Sequence, residues 1–174
     1  MVIESIRLTL LPALMAFAAA SDLFTMTISN RVPVILSAGF LLLAVMTGMP
    51  AVEMLSHAAA AALVLAVTFG FFARGWIGGG DAKLASATAL WLGFAYLPSY
   101  LLVASLLGGA LTLLLLQFRQ WPLPHALASQ GWLSRLHAKE SGIPYGIALA
   151  IGALMIYSQT EWMKAVDLAR FALG

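Results

Sequence analysis

No cysteine occurs in the 174 residues, so the chain forms no disulfide, offers no thiolate to a metal, and lacks the paired CxxC motifs of a small zinc-bearing extension. Charge is scarce as well. Asp, Glu, Lys and Arg make up 9% of the chain, against roughly a quarter of an ordinary soluble domain. The nine Lys and Arg residues are scattered singly, which excludes the basic stripe that nucleic acid requires. Also missing are HExxH or other histidine ligand spacings and a Walker glycine pattern. His57, His125 and His137 are therefore read as solvated or interfacial, and no metal or cofactor is expected.

What is present is apolar: 62% of the chain, in long runs rather than at amphipathic spacing. Such a chain would expose too much apolar surface in water. Its solvent is lipid, and the fold class it predicts is an all-α polytopic membrane bundle, one domain over residues 1–174. Runs bounded by charges and Pro/Gly clusters mark six spans, at residues 8–20, 32–47, 55–72, 84–97, 99–118 and 143–157. The first, fourth and sixth fall short of the roughly 20 residues of a perpendicular span, so adjoining residues should continue those helices. Leu97-Pro98-Ser99 marks a tight turn between the fourth and fifth. Ala18-Ala19-Ala20 before Ser21 has the small residues of a signal peptidase site. Glu4, however, offsets Arg7 and removes the positive n-region, and the segment is kept as a helix.

Basic residues are retained on the cytoplasmic side of a membrane. Arg31, Arg74, Lys83, Arg119, Arg135 and Lys139 follow spans one, three and five, whereas Arg7, Lys164 and Arg170 fall on the other side. Six against three places both termini outside the cytoplasm. The 119–142 connection carries Trp121, Pro122, Pro124 and Trp132 and predicts a short interfacial helix. Residues 161–173 put Trp162, Val166, Ala169 and Leu173 on one face, as an amphipathic surface helix would.

Of the acidic residues, Glu4, Glu53, Glu140, Glu161 and Asp167 sit in connections or tails where solvation is cheap, and they are assigned no chemistry. Asp22 and Asp81 differ: each adjoins a span, and both fall on the same predicted side. Asp81 follows Gly78-Gly79-Gly80. Consecutive glycines cost about 1 kcal/mol each in a helix, but they admit positive φ and close approach, so an extended substrate backbone can lie beside the carboxylate. The alternative is a plain flexible turn. Asp22 ends its helix and Asp81 begins one. The helix dipole therefore favours charge at Asp81, making it the candidate base and Asp22 the proton holder.

Gly78, Gly80 and Asp81 match the GxGD signature of membrane aspartyl proteases, and Gly-Gly-Asp-Ala-Lys-Leu over 79–84 resembles its prepilin leader peptidase form. Ser21-Asp22-Leu23, with Ile28-Ser29-Asn30 downstream, is similar to that family's first aspartate followed by Ile-Pro-Asn. Ser29 stands where proline is common, and residues 23–27 lack the basic residues often found there. Gly142-Ile143-Pro144-Tyr145-Gly146 resembles the family's Pro-Phe/Tyr-Gly element. The resemblance implies an aspartic endopeptidase of the bacterial inner membrane, with its active site facing the cytoplasm and Asp22 and Asp81 as the catalytic pair. It implies that Gly78, Gly79, Gly80, Asn30, Lys83, Pro144, Tyr145 and Gly146 surround the substrate, a prepilin-like precursor cut between its leader and the following hydrophobic helix. Large members carry a CxxC-bearing N-terminal region associated with N-methylation. Here 21 residues precede Asp22 and none is cysteine, so the match is to the short form, similar to enzymes of Flp-type or tight-adherence pili, without methyl transfer. Three rivals stay open. A presenilin-like or signal-peptide-peptidase-like protease shares GxGD but resembles Tyr-Asp and Pro-Ala-Leu elements. An ion-coupled transporter would favour midplane carboxylates and paired broken helices. A secretion-system assembly factor would have no activity. The oligomeric state is left open.

Overall fold

The computed structural model describes residues 2–164. Among them the chain forms α1 (Val2–Thr25), α2 (Arg31–Met46), α3 (Ala51–Ala73), α4 (Gly79–Phe118), α5 (His125–Ala128), α6 (Gly131–His137) and α7 (Tyr145–Tyr157), with no strand. Residues 161–164 are helical too; the rest of the amphipathic helix expected over 161–173 lies outside the described residues. The all-α membrane bundle read from composition is the fold observed.

α1 extends beyond its apolar run at both ends and closes at Met26, whose φ of 56° is left-handed. α3 and α7 start directly after Pro50 and Pro144. α4 has 40 residues, about 60 Å of helix, or twice the roughly 30 Å hydrocarbon thickness. It breaks at Gly93, where φ is 59° and ψ −179°. The two segments, 79–92 and 94–118, run antiparallel. Gly108 in the second lies against Tyr145, beside the carboxylates at the start of the first, while Trp91 and Gly93 lie at the other end with Trp162 and His57. Hence the turn falls at Gly93 and not at 97–99. That backbone conformation is essentially reserved for glycine, whereas Pro98 near the start of the returning helix removes a single N–H.

Counted this way, the described residues hold six apolar segments, two of them within α4. α1, α3 and α4 are long and apolar enough to cross a membrane, and α2 and α7 are shorter apolar helices. Val52, Leu55 and Val45 are 82%, 73% and 70% exposed, an exterior suited to lipid. The interior packs closely through small residues. A Cβ at Gly152 would stand 3.2 Å from the Ala104 nitrogen, so α7 and the 94–118 segment meet nearly backbone to backbone. Away from the carboxylates, Phe40, Trp91, Tyr157 and Trp162 form an aromatic cluster. Its buried indoles are satisfied: Trp91 donates to the Leu36 carbonyl at 2.9 Å and Trp162 to that of Trp91 at 3.0 Å. His57, read from sequence as solvated or interfacial, is half-buried and belongs here. Its Nδ1 is 2.7 Å from the Leu90 carbonyl and its ring stacks on Phe40.

The 119–142 connection holds two short helices where one was expected. Trp132 packs edge-on against Phe24, and Arg135 donates to the Phe24 carbonyl at 2.6 Å, seating α6 on the end of α1.

Candidate active site

Asp22 lies in the last turns of α1 and is 5% exposed. Its Oδ2 accepts a hydrogen bond of 2.7 Å from the Gly146 N–H. The first N–H groups of a helix have no partner within it, and Asp22 supplies one to α7 from a different helix. The fit requires glycine: a Cβ at residue 146 would sit 2.7 Å from Asp22 Oδ2 and 2.7 Å from the Ile28 side chain.

Asp81 is the third residue of α4, after its N-cap Gly78. Its carboxylate reaches back to hydrogen-bond the Gly78 backbone, as an acid at that position does in a capping box. Oδ2 is on that side, 2.9 Å from where a Gly78 Cβ would be. Oδ1 is buried without a hydrogen-bond partner. Asp22 is near enough for its charge to act on Asp81. Two carboxylates, one from the end of α1 and one from the start of α4, are thus brought to one end of the bundle, between α1, α4 and α7.

None of Gly78, Gly79 and Gly80 uses the positive φ that glycine admits. Their bare backbone accommodates the chain's own residues. A Cβ at Gly80 would stand 3.1 Å from that of Ile28, and one at Gly79 would stand 3.3 Å from the Phe72 ring. Lys83 donates to Asn30 Oδ1 at 2.8 Å, tying the start of α2 to that of α4. From this pair an apolar groove of about 390 Å³ runs between α2 and α3 over Pro33, Ser37, Leu65 and Ser86. Pro144 is buried. The Tyr145 hydroxyl is 3.1 Å from that of Thr112, so its ring braces α7 against the 94–118 segment.

Arg119 is absent from the sequence-based site, where it counted only as a topological charge. It is 8% exposed. Nε donates to the Leu136 carbonyl at 2.8 Å, and Nη2 to the Gly142 carbonyl at 2.8 Å and to Ser141 Oγ at 3.1 Å. It fixes α6 and the turn that leads to Gly146.

Over residues 9–113 the sequence matches the type IV leader peptidase family, and the chain belongs to it. The matched stretch includes both aspartates and ends before Gly146. Comparison with curated proteins and with solved structures returns no match. With its apolar segments, this membership makes the chain an integral membrane protein and a protease of the leader peptidase type.

Proposed function

We propose that this protein removes the leader from prepilin-like precursors by aspartic hydrolysis at the cytoplasmic face of a bacterial inner membrane, using Asp22 and Asp81. The observation that carries this reading is the pairing itself: two carboxylates within Coulombic reach, each hydrogen-bonded to a backbone N–H. Such a pair resists ionising together and shares one proton. Asp22 is the base. Helix dipoles of α1 and α4 favour the reverse by about 0.3–1 kcal/mol, and each carboxylate accepts one backbone hydrogen bond, Asp22 from Gly146 and Asp81 from Gly78, but Oδ1 of Asp81 is buried without a partner, which suits the protonated carboxyl. Asp81 holds the proton.

In the reaction Asp22 takes a proton from water as its oxygen bonds to the scissile carbonyl carbon, and Asp81 gives its proton to the carbonyl oxygen. Collapse of the diol breaks the C–N bond. The proton on Asp22 passes to the leaving nitrogen, and a diol proton returns to Asp81. No metal or cofactor enters. The 390 Å³ groove beginning at Asn30 and Lys83 suits the hydrophobic helix that follows the cut. Gly78, Gly79 and Gly80, packed against Asp81, Phe72 and Ile28, then hold Asp81 beside the peptide, and Pro144 and Tyr145 hold Gly146 in place. Residues 1–174 are read as one domain, since Gly146 lies beyond the matched stretch yet bonds Asp22. An Flp-type activity without methyl transfer accords with the absence of cysteine from these residues. Both aspartates lie near segment ends, which favours a peptidase over an ion-coupled transporter.

The test is incubation of the purified protein in detergent with candidate prepilins, followed by sizing and mass analysis. One cut between leader and hydrophobic helix is expected, with an unmodified new amino group even when S-adenosylmethionine is present. Failure to cut any prepilin would overturn the assignment, and an added methyl group would overturn the restriction to cleavage.

A further inference from the structure

At the end of the bundle opposite the carboxylates, a cavity of about 580 Å³ opens between α1, the α2–α3 connection, the turn at Gly93 and residues 160–164. The peptidase chemistry makes no use of it. Most donors in its wall are already committed. The indoles of Trp91 and Trp162 donate to the Leu36 and Trp91 carbonyls, and the hydroxyls of Thr47 and Thr160 to those of Leu43 and Tyr157. Lys164 is paired with Glu161 at the exposed rim, 2.7 Å apart.

Arg7 is different. Its guanidinium lies over the Trp162 ring, 5.6 Å from the centroid, and its Nε is buried with no hydrogen-bond partner. Glu4, on the same helix, is within Coulombic reach, yet Nε still lacks an acceptor. A buried donor of this kind calls for one, and a planar guanidinium suits phosphate oxygens. Across the cavity Glu53 supplies a carboxylate that makes no ion pair among the described residues. With Lys164 and Glu161 paired, the charged side chains that line the cavity and remain are Arg7, with Glu4 near it, and Glu53 on the facing wall, among the described residues.

The mouth is apolar on its lipid side, where Phe94 is 45% exposed and Leu55, next to the lining residue Ser56, is 73% exposed. Tryptophan and tyrosine at a segment end mark the depth of lipid head groups. A free anion would gain nothing from that apolar border, but acyl chains would.

We propose that this cavity binds the head group of a zwitterionic, amine-bearing phospholipid. Its phosphodiester oxygen accepts from Arg7, and its ammonium lies between Glu53 and the aromatic faces, where a cation is attracted to the ring quadrupole.

The experiment is native mass spectrometry of the purified full chain in detergent, supplied with phosphatidylethanolamine, phosphatidylglycerol or inorganic phosphate. Phosphatidylethanolamine should be retained, and phosphatidylglycerol and inorganic phosphate should not displace it. Arg7→Gln should lower retention at least about tenfold, a change of about 1.4 kcal/mol. Ser56→Trp, which fills the exposed wall and leaves Arg7 in place, should do the same. Arg74→Gln, at the other end of the bundle over Trp76, should change nothing. If Arg7→Gln does not fold, judged by circular dichroism, Ser56→Trp decides. Undiminished retention by the folded variants would overturn the site. Displacement by inorganic phosphate would make it a free-anion site, and equal retention of phosphatidylglycerol would overturn the zwitterion; either contradicts the proposal.

Discussion

Gly146→Ala separates the role of the Asp22 contact from that of the fold. The added Cβ would lie 2.7 Å from Asp22 Oδ2 and from Ile28 Cδ1, and 3.1 Å from Asp22 Cβ. Ordinary contact begins at 3.4 Å, so the carboxylate must retreat by about 0.7 Å, which breaks its 2.7 Å bond to the Gly146 N–H. Loss of that bond costs about 1.5–3 kcal/mol. Alanine returns about 1 kcal/mol of helix propensity to α7. Global stability should therefore fall by only about 0.5–2 kcal/mol. Catalysis has no such offset: displacing a reacting group by about 1 Å costs on the order of 100-fold. The assay is prepilin cleavage by the purified variant beside its thermal unfolding, with Gly142→Ala and Gly109→Ala as controls, because a Cβ at either position meets nothing within 4 Å. A large loss of cleavage with a modest change in unfolding is expected for Gly146→Ala alone. Wild-type turnover by that variant would refute the reasoning.

Gly93→Ala combines a φ of 59° with a Cβ 2.8 Å from His57 and should destabilise the protein by at least about 1–3 kcal/mol; an unchanged melting temperature contradicts the turn assigned there. Arg119→Gln should lower kcat about tenfold with little change in KM, since it loosens the turn before Gly146 without touching substrate, and Arg119→Lys should restore activity only in part because the fork geometry is lost. Equal kcat for all three proteins would remove Arg119 from the site. Cysteines introduced singly at Ser129 and Ser158 should be labelled from opposite sides of an intact membrane, and labelling of both from one side contradicts the topology.

The helical membrane fold was legible because hydropathy needs only composition and run length, and the aspartates stood out because each carboxylate adjoins an apolar run. The turn between the fourth and fifth segments was misplaced for a physical reason. Pro98 is a conspicuous breaker, while Gly93 sits in Trp91-Leu92-Gly93-Phe94 with no polar punctuation, and its positive φ exists only once the two segments pack. The bond from Gly146 to Asp22 comes from a backbone N–H, which no side-chain pattern announces. Arg119 looked like any loop arginine, because its acceptors are carbonyls of residues 136 and 142 that the fold brings to it. The glycines before Asp81 stand out in the sequence, and the chain that approaches them in the fold is their own, at Ile28 and Phe72.

The central claim is that Asp22 and Asp81 act together as the hydrolytic pair. It is tested most directly by the cleavage of a prepilin by Asp22→Asn and Asp81→Asn variants, purified in detergent and matched for folded protein by circular dichroism. Each amide keeps the size of the side chain it replaces but can neither take nor share the proton. The account predicts that both variants fold and that neither yields product above the uncatalysed background. Near-normal turnover by either would mean that these two residues are not the catalytic pair.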